Sequence, residues 1–287
     1  MGFAALNPSY AHCEALVRAT DKDRFLAGLY ASADKRAHLY ALYAFAHEVA
    51  RISDVVRQPL AGEMRLQWWR DALAGERCGE ALANPVAAAL LATIRDCALP
   101  TAPLVALIDA HAFDLYDEAM PTLAELDAYA GRTAGTVFAL GARILGGADG
   151  ADAIAAAASA AGIAHEVAQR LHTFARDVSR RQIFVPRDLL ARHGAAHAEV
   201  EARQDSAELR AALAALRRHA RAAFARFGAG MPALPVACAP AFLTLAVVPV
   251  LLARLDAAAT DPFAAVEVPQ WRRQWAIWRA ARRWPAL

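Results

Sequence analysis

Two carboxylates close apolar stretches of this chain, the setting that metal or anion chemistry needs. Asp54 ends the segment from Tyr43 to Asp54, and Asp177 ends the Ala-rich segment that starts at Ala151. Residues i and i+4 share one helix face, so two Asp at that spacing hold a divalent cation over a cavity. One turn before Asp54 the residue is Ala50, and one turn after Asp177 it is Arg181. Composition alone makes Asp54 a solvated carboxylate at a helix end. Asp177 is flanked by Arg176, Arg180 and Arg181. In that company it reads as a paired charge at a helix end, or as part of an anion site, because guanidinium forks match phosphate bidentately.

Other constellations are weaker. Arg132 to Val137 places Gly135 in mid-helix, at a cost of about 1 kcal/mol relative to Ala, which a close approach by a helix or ligand explains. Asp114 and Glu118 stand at i and i+4, with Asp117 between them. They suit a metal pair or a solvated face. His12, His38, His47, His165 and His172 fall on helices without paired spacing and read as core or surface residues. The chain contains no GxGxxG, Walker, GxSxG or HExxH motif, so nucleotide, serine-hydrolase and zinc-protease readings have no support.

Composition narrows the classes further. The chain has 287 residues, 57% of them hydrophobic, and a net charge of +2, which gives no footing for nucleic acid. Cys13, Cys78, Cys97 and Cys238 lie far apart, as in a reducing cytoplasm. The N-terminus carries neither a signal peptide nor a myristoylation pattern, since Leu6 stands where Ser or Thr is needed. The uncharged run from Ala233 to Ala253 has the length of a membrane span. Pro235, Pro240 and Pro249 interrupt it, so an extended approach and one buried helix, Ala241 to Leu255, is the better reading.

The elements that must position these residues are helical, because no sustained alternation of β-branched and polar residues occurs. Expected helices cover Tyr10 to Ala19, Arg24 to Ala31, Lys35 to Val56, Gly62 to Leu73, one opened by Asn84 and Pro85, and Leu104 to Glu118. They continue with Leu123 to Ala130 behind a Thr122 cap, Thr133 to Leu145 between glycines that include Gly147, Ala151 to Asp177, Ser206 to Phe227, and Trp271 to Trp284. Gln58 and Pro59 are expected to end the helix that carries Asp54. No linker or repeat is evident, so residues 1–287 form one expected domain.

In this order and spacing the segments resemble the squalene/phytoene synthase family of head-to-head prenyl transferases. The resemblance runs from Asp23 to Tyr30 and Lys35 to Phe45, through Asp114, Tyr129 to Val137 and Ala175 to Val178, to Ile183 to Leu189. It implies an all-α, isoprenoid-synthase-type bundle around a deep apolar cavity. It also implies two DxxxD motifs on facing helices, binding Mg²⁺ that holds the diphosphates of two prenyl substrates. This chain departs from the motifs. The family's first Asp falls on Ala50 and its neighbouring acid on Arg51, leaving Asp54; in the second motif Asp177 matches and the Glu-Asp falls on Arg180 and Arg181.

The resemblance therefore implies a ligand set of Tyr43, Arg51, Asp54, Asp114, Gly135, Arg176, Asp177, Arg180 and Arg181. Asp54 and Asp177 are the residual metal and catalytic positions. So few carboxylates among guanidiniums should bind metal poorly. Glu48 to Asp54, Gly62 to Arg70, Ser179 to Pro186, and His193 with Gly194 are similar to a branch with degenerate motifs. That branch includes a mitochondrial assembly factor for respiratory complex I. The expected function is binding of an isoprenoid diphosphate or lipid-like anion without catalysis or resident cofactor, with a protein partner in respiratory-complex biogenesis. The alternative is an active, Mg²⁺-dependent prenyl transferase of terpenoid biosynthesis. A third reading is a helical scaffold that presents Trp68, Trp69 and the Trp271 to Trp284 helix to a partner. That last helix suits peripheral contact with the inner membrane from the cytoplasm, and packing in the bundle explains it equally.

Overall fold

The computed structural model describes residues 8–116, 118–146, 149–257 and 261–284. The readings at residues 1–6, Asp117 and Gly147 lie outside the described residues. Every regular element among the described residues is helical.

The first third of the chain packs α1 (Pro8–Thr20), α2 (Lys22–Gly28) and α3 (Ala33–Ala50) together. Asp21 separates the first two and caps the second, accepting from the Arg24 amide at 2.9 Å. Such a cap contributes about 1 kcal/mol. The expected single helix from Lys35 to Val56 is two elements. Its first part ends at Ala50, and Arg51 has ψ near −5° before a separate turn, α4 (Ile52–Val55), begins. Positions 50 and 54 thus do not share one uninterrupted helix. Pro59 opens α5 (Pro59–Ala74) rather than closing its predecessor, using the first-turn position where a missing N–H costs nothing.

Next come α6 (Cys78–Ala83), α7 (Pro85–Asp96), capped by Asn84, and α8 (Ala102–Ala110). The expected helix to Glu118 stops eight residues early. After Ala110 only one 3₁₀ turn, Phe113–Leu115, continues. The reason is local: His111 and Asp114 are drawn into a buried polar network described below. The helix α9 (Leu123–Ala130) has the expected bounds and the Thr122 cap. A wide π turn over Gly131–Gly135 joins it to α10 (Thr136–Gly146).

The longest element is α11 (Ala151–Ser179). Two short helices follow, α12 (Arg187–Arg192) and α13 (His197–Glu201), then α14 (Ala207–Gly230), which lies along α11. The apolar run after Ala233 is not one helix. It contains a 3₁₀ turn, α15 (Ala239–Phe242), a second 3₁₀ turn and α16 (Val247–Ala257). Phe242, Leu245, Val248 and Leu251 are buried, so this run is a core element. The last helix is α17 (Gln270–Arg283).

The apolar interior forms two adjoining clusters. One surrounds α3, with Leu39, Tyr40, Leu42 and Phe45 fully buried; the other surrounds α11 and α14. Helix α10 stands between them, giving Val137, Leu140 and Ile144 to the first and Phe138 and Ala142 to the second. Each large side chain so buried contributes about 1.5–3 kcal/mol. Small residues set the spacing. A Cβ on Gly162 would lie 2.6 Å from the Gly135 backbone nitrogen and 2.7 Å from its Cα. The backbones of α11 and the π turn therefore touch, which is what Gly135 in mid-segment foreshadowed.

Candidate functional site

The end of α11 and the turn of α4 face each other across a polar pocket of about 420 Å³. Asp54, Arg57 and Gln58 line one side, and Asp114, Arg180 and Gln182 the other. The Arg180 guanidinium donates to the Asp54 carboxylate, with both side chains nearly half exposed. Arg180 caps α11 through its amide to the Asp177 carbonyl at 3.0 Å. Arg181 then takes φ +61°, the left-handed region that non-glycine residues rarely adopt. That reversal lets the Gln182 amide reach the Asp177 carbonyl at 2.9 Å. It also lets the Gln182 side-chain amide donate to the Asp114 carbonyl at 2.9 Å.

Asp177 sits behind this mouth, buried. Its carboxylate accepts from the Thr173 hydroxyl at 2.5 Å and from Arg176 Nε at 3.4 Å, with Arg170 Nη1 at 3.9 Å. Burial pushes its carboxyl above the usual range, and the Thr173 hydroxyl with the two guanidiniums only partly opposes that.

Arg170 joins this position to the pocket wall. Its Nε donates to Glu166 at 2.7 Å and its Nη2 to the Tyr129 hydroxyl at 2.9 Å. The guanidinium lies 3.6 Å from the centre of the Phe184 ring. Burial opposes its charge, but Tyr129, Glu166, Asp114 and Asp177 outweigh that and hold it firmly protonated. The Tyr129 hydroxyl donates in turn to Asp114, at 3.0 and 2.9 Å from the two oxygens. The Asp114 carboxylate also lies 2.7 Å from His111 Nδ1. His111, Asp114, Tyr129, Arg170 and Asp177 thus form one buried chain of polar contacts. Sequence reasoning did not single out Arg170, Glu166 or His111. The available signal was the i, i+4 pair Glu166 and Arg170 on an otherwise Ala-rich helix.

The other expected ligand positions lie elsewhere. Arg51 pairs with Glu48 at 3.0 Å and borders a separate depression with Arg65 and Trp68. Tyr43 is buried beneath the Arg24 guanidinium, 5.3 Å from its ring centre, and burial raises its hydroxyl pKa. Gly135 borders an apolar groove of about 460 Å³ between α10 and α11, with Ala139, Ile154 and Ala158. Arg176 and Arg181 are exposed and do not line the polar pocket. Deeper in, burial and the Arg24 charge depress His165 to about 4, so this imidazole is neutral.

Mg²⁺ asks for several oxygen ligands, most of them anionic. Here Asp54 is engaged by Arg180, Asp177 is held by Thr173, and Asp114 is held by Tyr129 and His111. Among the described residues, no three His, Cys, Asp or Glu side chains converge as metal ligands do. The donor set does not fit the multi-metal site of two intact DxxxD motifs.

An all-helical bundle with two aspartate positions facing one mouth is of the isoprenoid-synthase type. The chain belongs to the squalene/phytoene synthase family, whose pattern matches residues 17–279. It is 33% identical over 187 residues to the mouse NADH dehydrogenase (ubiquinone) complex I, assembly factor 6, covering 65% of this chain and 55% of that protein. It is 26% identical over 199 residues to a 15-cis-phytoene synthase of a Synechocystis species, covering 66% and 59%. The chain thus spans little more than half the length of either relative. The crystal structure of squalene synthase HpnC from Alicyclobacillus acidocaldarius superposes with a TM-score of 0.76 at 26% identity, over 89% of this chain and 95% of that one.

Proposed function

We propose that the chain binds an isoprenoid diphosphate, or a lipid-like anion of similar shape, and does not couple two of them. In this reading it acts from the cytoplasm in the biogenesis of respiratory complex I, as one domain over its whole length and without a resident metal. The observation that carries the reading is the Arg180 to Asp54 contact. A guanidinium from one motif position occupies the carboxylate of the other, where the family arrangement calls for a divalent cation. An exposed pair of this kind contributes about 0–1 kcal/mol, so an incoming phosphate displaces it readily. Arg57 and Arg180 then supply charged donors at the mouth. The likeness to an assembly factor supports the biological setting.

A second reading keeps prenyl transfer. Its support is the cluster of Asp114, Glu166 and Asp177 around Arg170, with Arg176 also on Asp177, together with the phytoene synthase relative. Incubation with farnesyl or geranylgeranyl diphosphate, Mg²⁺ and NADPH separates the two. Binding without diphosphate release fits the first reading. Release abolished by Asp54→Ala or Asp177→Ala overturns it. Deletion of the gene should lower complex I, and normal complex I levels would contradict the assembly role.

A further inference from the structure

Helix α17 presents an outer face that nothing among the described residues covers. Trp271, Trp275 and Trp278 are 63%, 56% and 37% exposed. They follow at i, i+4 and i+7, and with Arg282 they make one stripe. Arg272, Arg279 and Arg283 form a row beside it. Between Gln270 and Arg283 there are five Arg and no Asp or Glu. Among the described residues only Arg273 of the five pairs with a carboxylate. The opposite face is fixed: Ile277 and Ala280 are buried, and Arg273 turns inward to Asp23 of α2, with Nε at 2.8 Å. Gln270 reaches the same carboxylate at 3.3 Å. The aromatic rings are ordered against one another, Trp275 on Trp278 at 4.7 Å, with Arg282 4.5 Å from the Trp278 ring centre.

We propose that α17 is a membrane-surface helix, seating the folded protein on a bilayer rich in anionic lipid. The chemistry is that of the interface. Indole has an apolar body and a polar N–H and settles at the headgroup level. A flanking row of Arg adds attraction to anionic headgroups. The buried face is satisfied within the bundle, so the helix lies flat without unfolding anything. The uncharged run in α15 and α16 takes no part, since its large side chains are core residues. A second copy of the chain is a poor occupant, because a symmetric contact sets one unpaired Arg row against another. The inference does not depend on what the pocket near Arg180 binds.

Flotation of the full chain with vesicles tests it. Phosphatidylcholine vesicles are compared with the same vesicles containing phosphatidylglycerol, at low and at physiological salt. The expected result is binding to the anionic vesicles, weakened by salt, with indole fluorescence quenched by brominated lipid. Arg279→Gln and Arg282→Gln should each weaken partitioning about fivefold. Trp275→Ala with Trp278→Ala should weaken both flotation and quenching, Trp271 alone remaining on the stripe, while the circular dichroism spectrum is retained. Three results would overturn the proposal: no flotation with anionic vesicles, flotation insensitive to these four substitutions, or a dimer in the absence of lipid that Trp275→Ala dissolves.

Discussion

Arg180 and Asp54, 126 residues apart in sequence, meet at the mouth of the polar pocket. The family resemblance read from the sequence expects an acid at each of these two positions. In the proposed function this single guanidinium stands in for a cation bridge between two acids. It sits in front of a buried polar chain that runs from Asp177 through Arg170 and Tyr129 to Asp114.

Replacing Arg180 should separate binding from stability. Because both partners are nearly half exposed, Arg180→Ala should change unfolding free energy by less than about 1 kcal/mol. Loss of a charge-assisted donor should weaken binding of a prenyl diphosphate by about tenfold or more. Urea titration and calorimetric binding measure the two effects side by side.

Tyr129 should behave in the opposite way. Tyr129→Phe leaves the buried Asp114 carboxylate without its hydroxyl donor and frees one Arg170 nitrogen. The expected cost is about 1–3 kcal/mol in denaturant unfolding. A change near zero would mean that water or a repacked Arg170 replaces the hydroxyl.

Glycine 162 gives a purely steric test. A Cβ there meets the backbone of Gly135, which cannot swing aside as a side chain would. Gly162→Ala should destabilise by about 1–3 kcal/mol despite the better helix propensity of Ala. Gly79→Ala, whose Cβ meets nothing within 4 Å, is the matched control.

Two buried groups give stability a pH dependence with opposite signs. His165 is depressed from 6.5 to about 4 in the folded chain. Its contribution is present above pH 6.5 and is lost as pH falls through 4, up to about 3 kcal/mol. His165→Gln should flatten unfolding free energy across that window. Asp177 is raised, so its contribution is full below the unfolded carboxyl value and is lost as pH rises through the folded one. Asp177→Asn should remove that loss at neutral pH.

The helical class was legible because apolar periodicity and capping residues are local signals. Thr122 and Asn84 cap where expected, and α9 keeps its bounds. The break at Arg51 was not legible, because it turns on where the chain must go next, toward Pro59. Gln58 and Pro59 were legible as a boundary, but a boundary reads alike from either side. The early end of α8 reflects Asp114 meeting Tyr129 fifteen residues later, and such a pairing has no one-dimensional trace. The placement of the site was partly legible. Asp54, Asp114 and Arg180 border one pocket, whereas Arg51 and Gly135 border other spaces and Tyr43 is buried beneath Arg24. Spacing along a helix gives a face, and only packing decides what that face meets.

The most direct measurement is calorimetric titration of farnesyl diphosphate into the full chain, once with Mg²⁺ and once with excess chelator. The account predicts the same affinity in both, weakened in Arg180→Ala, with no diphosphate released. Binding that requires Mg²⁺, or that persists unchanged when Arg180 is removed, would contradict it.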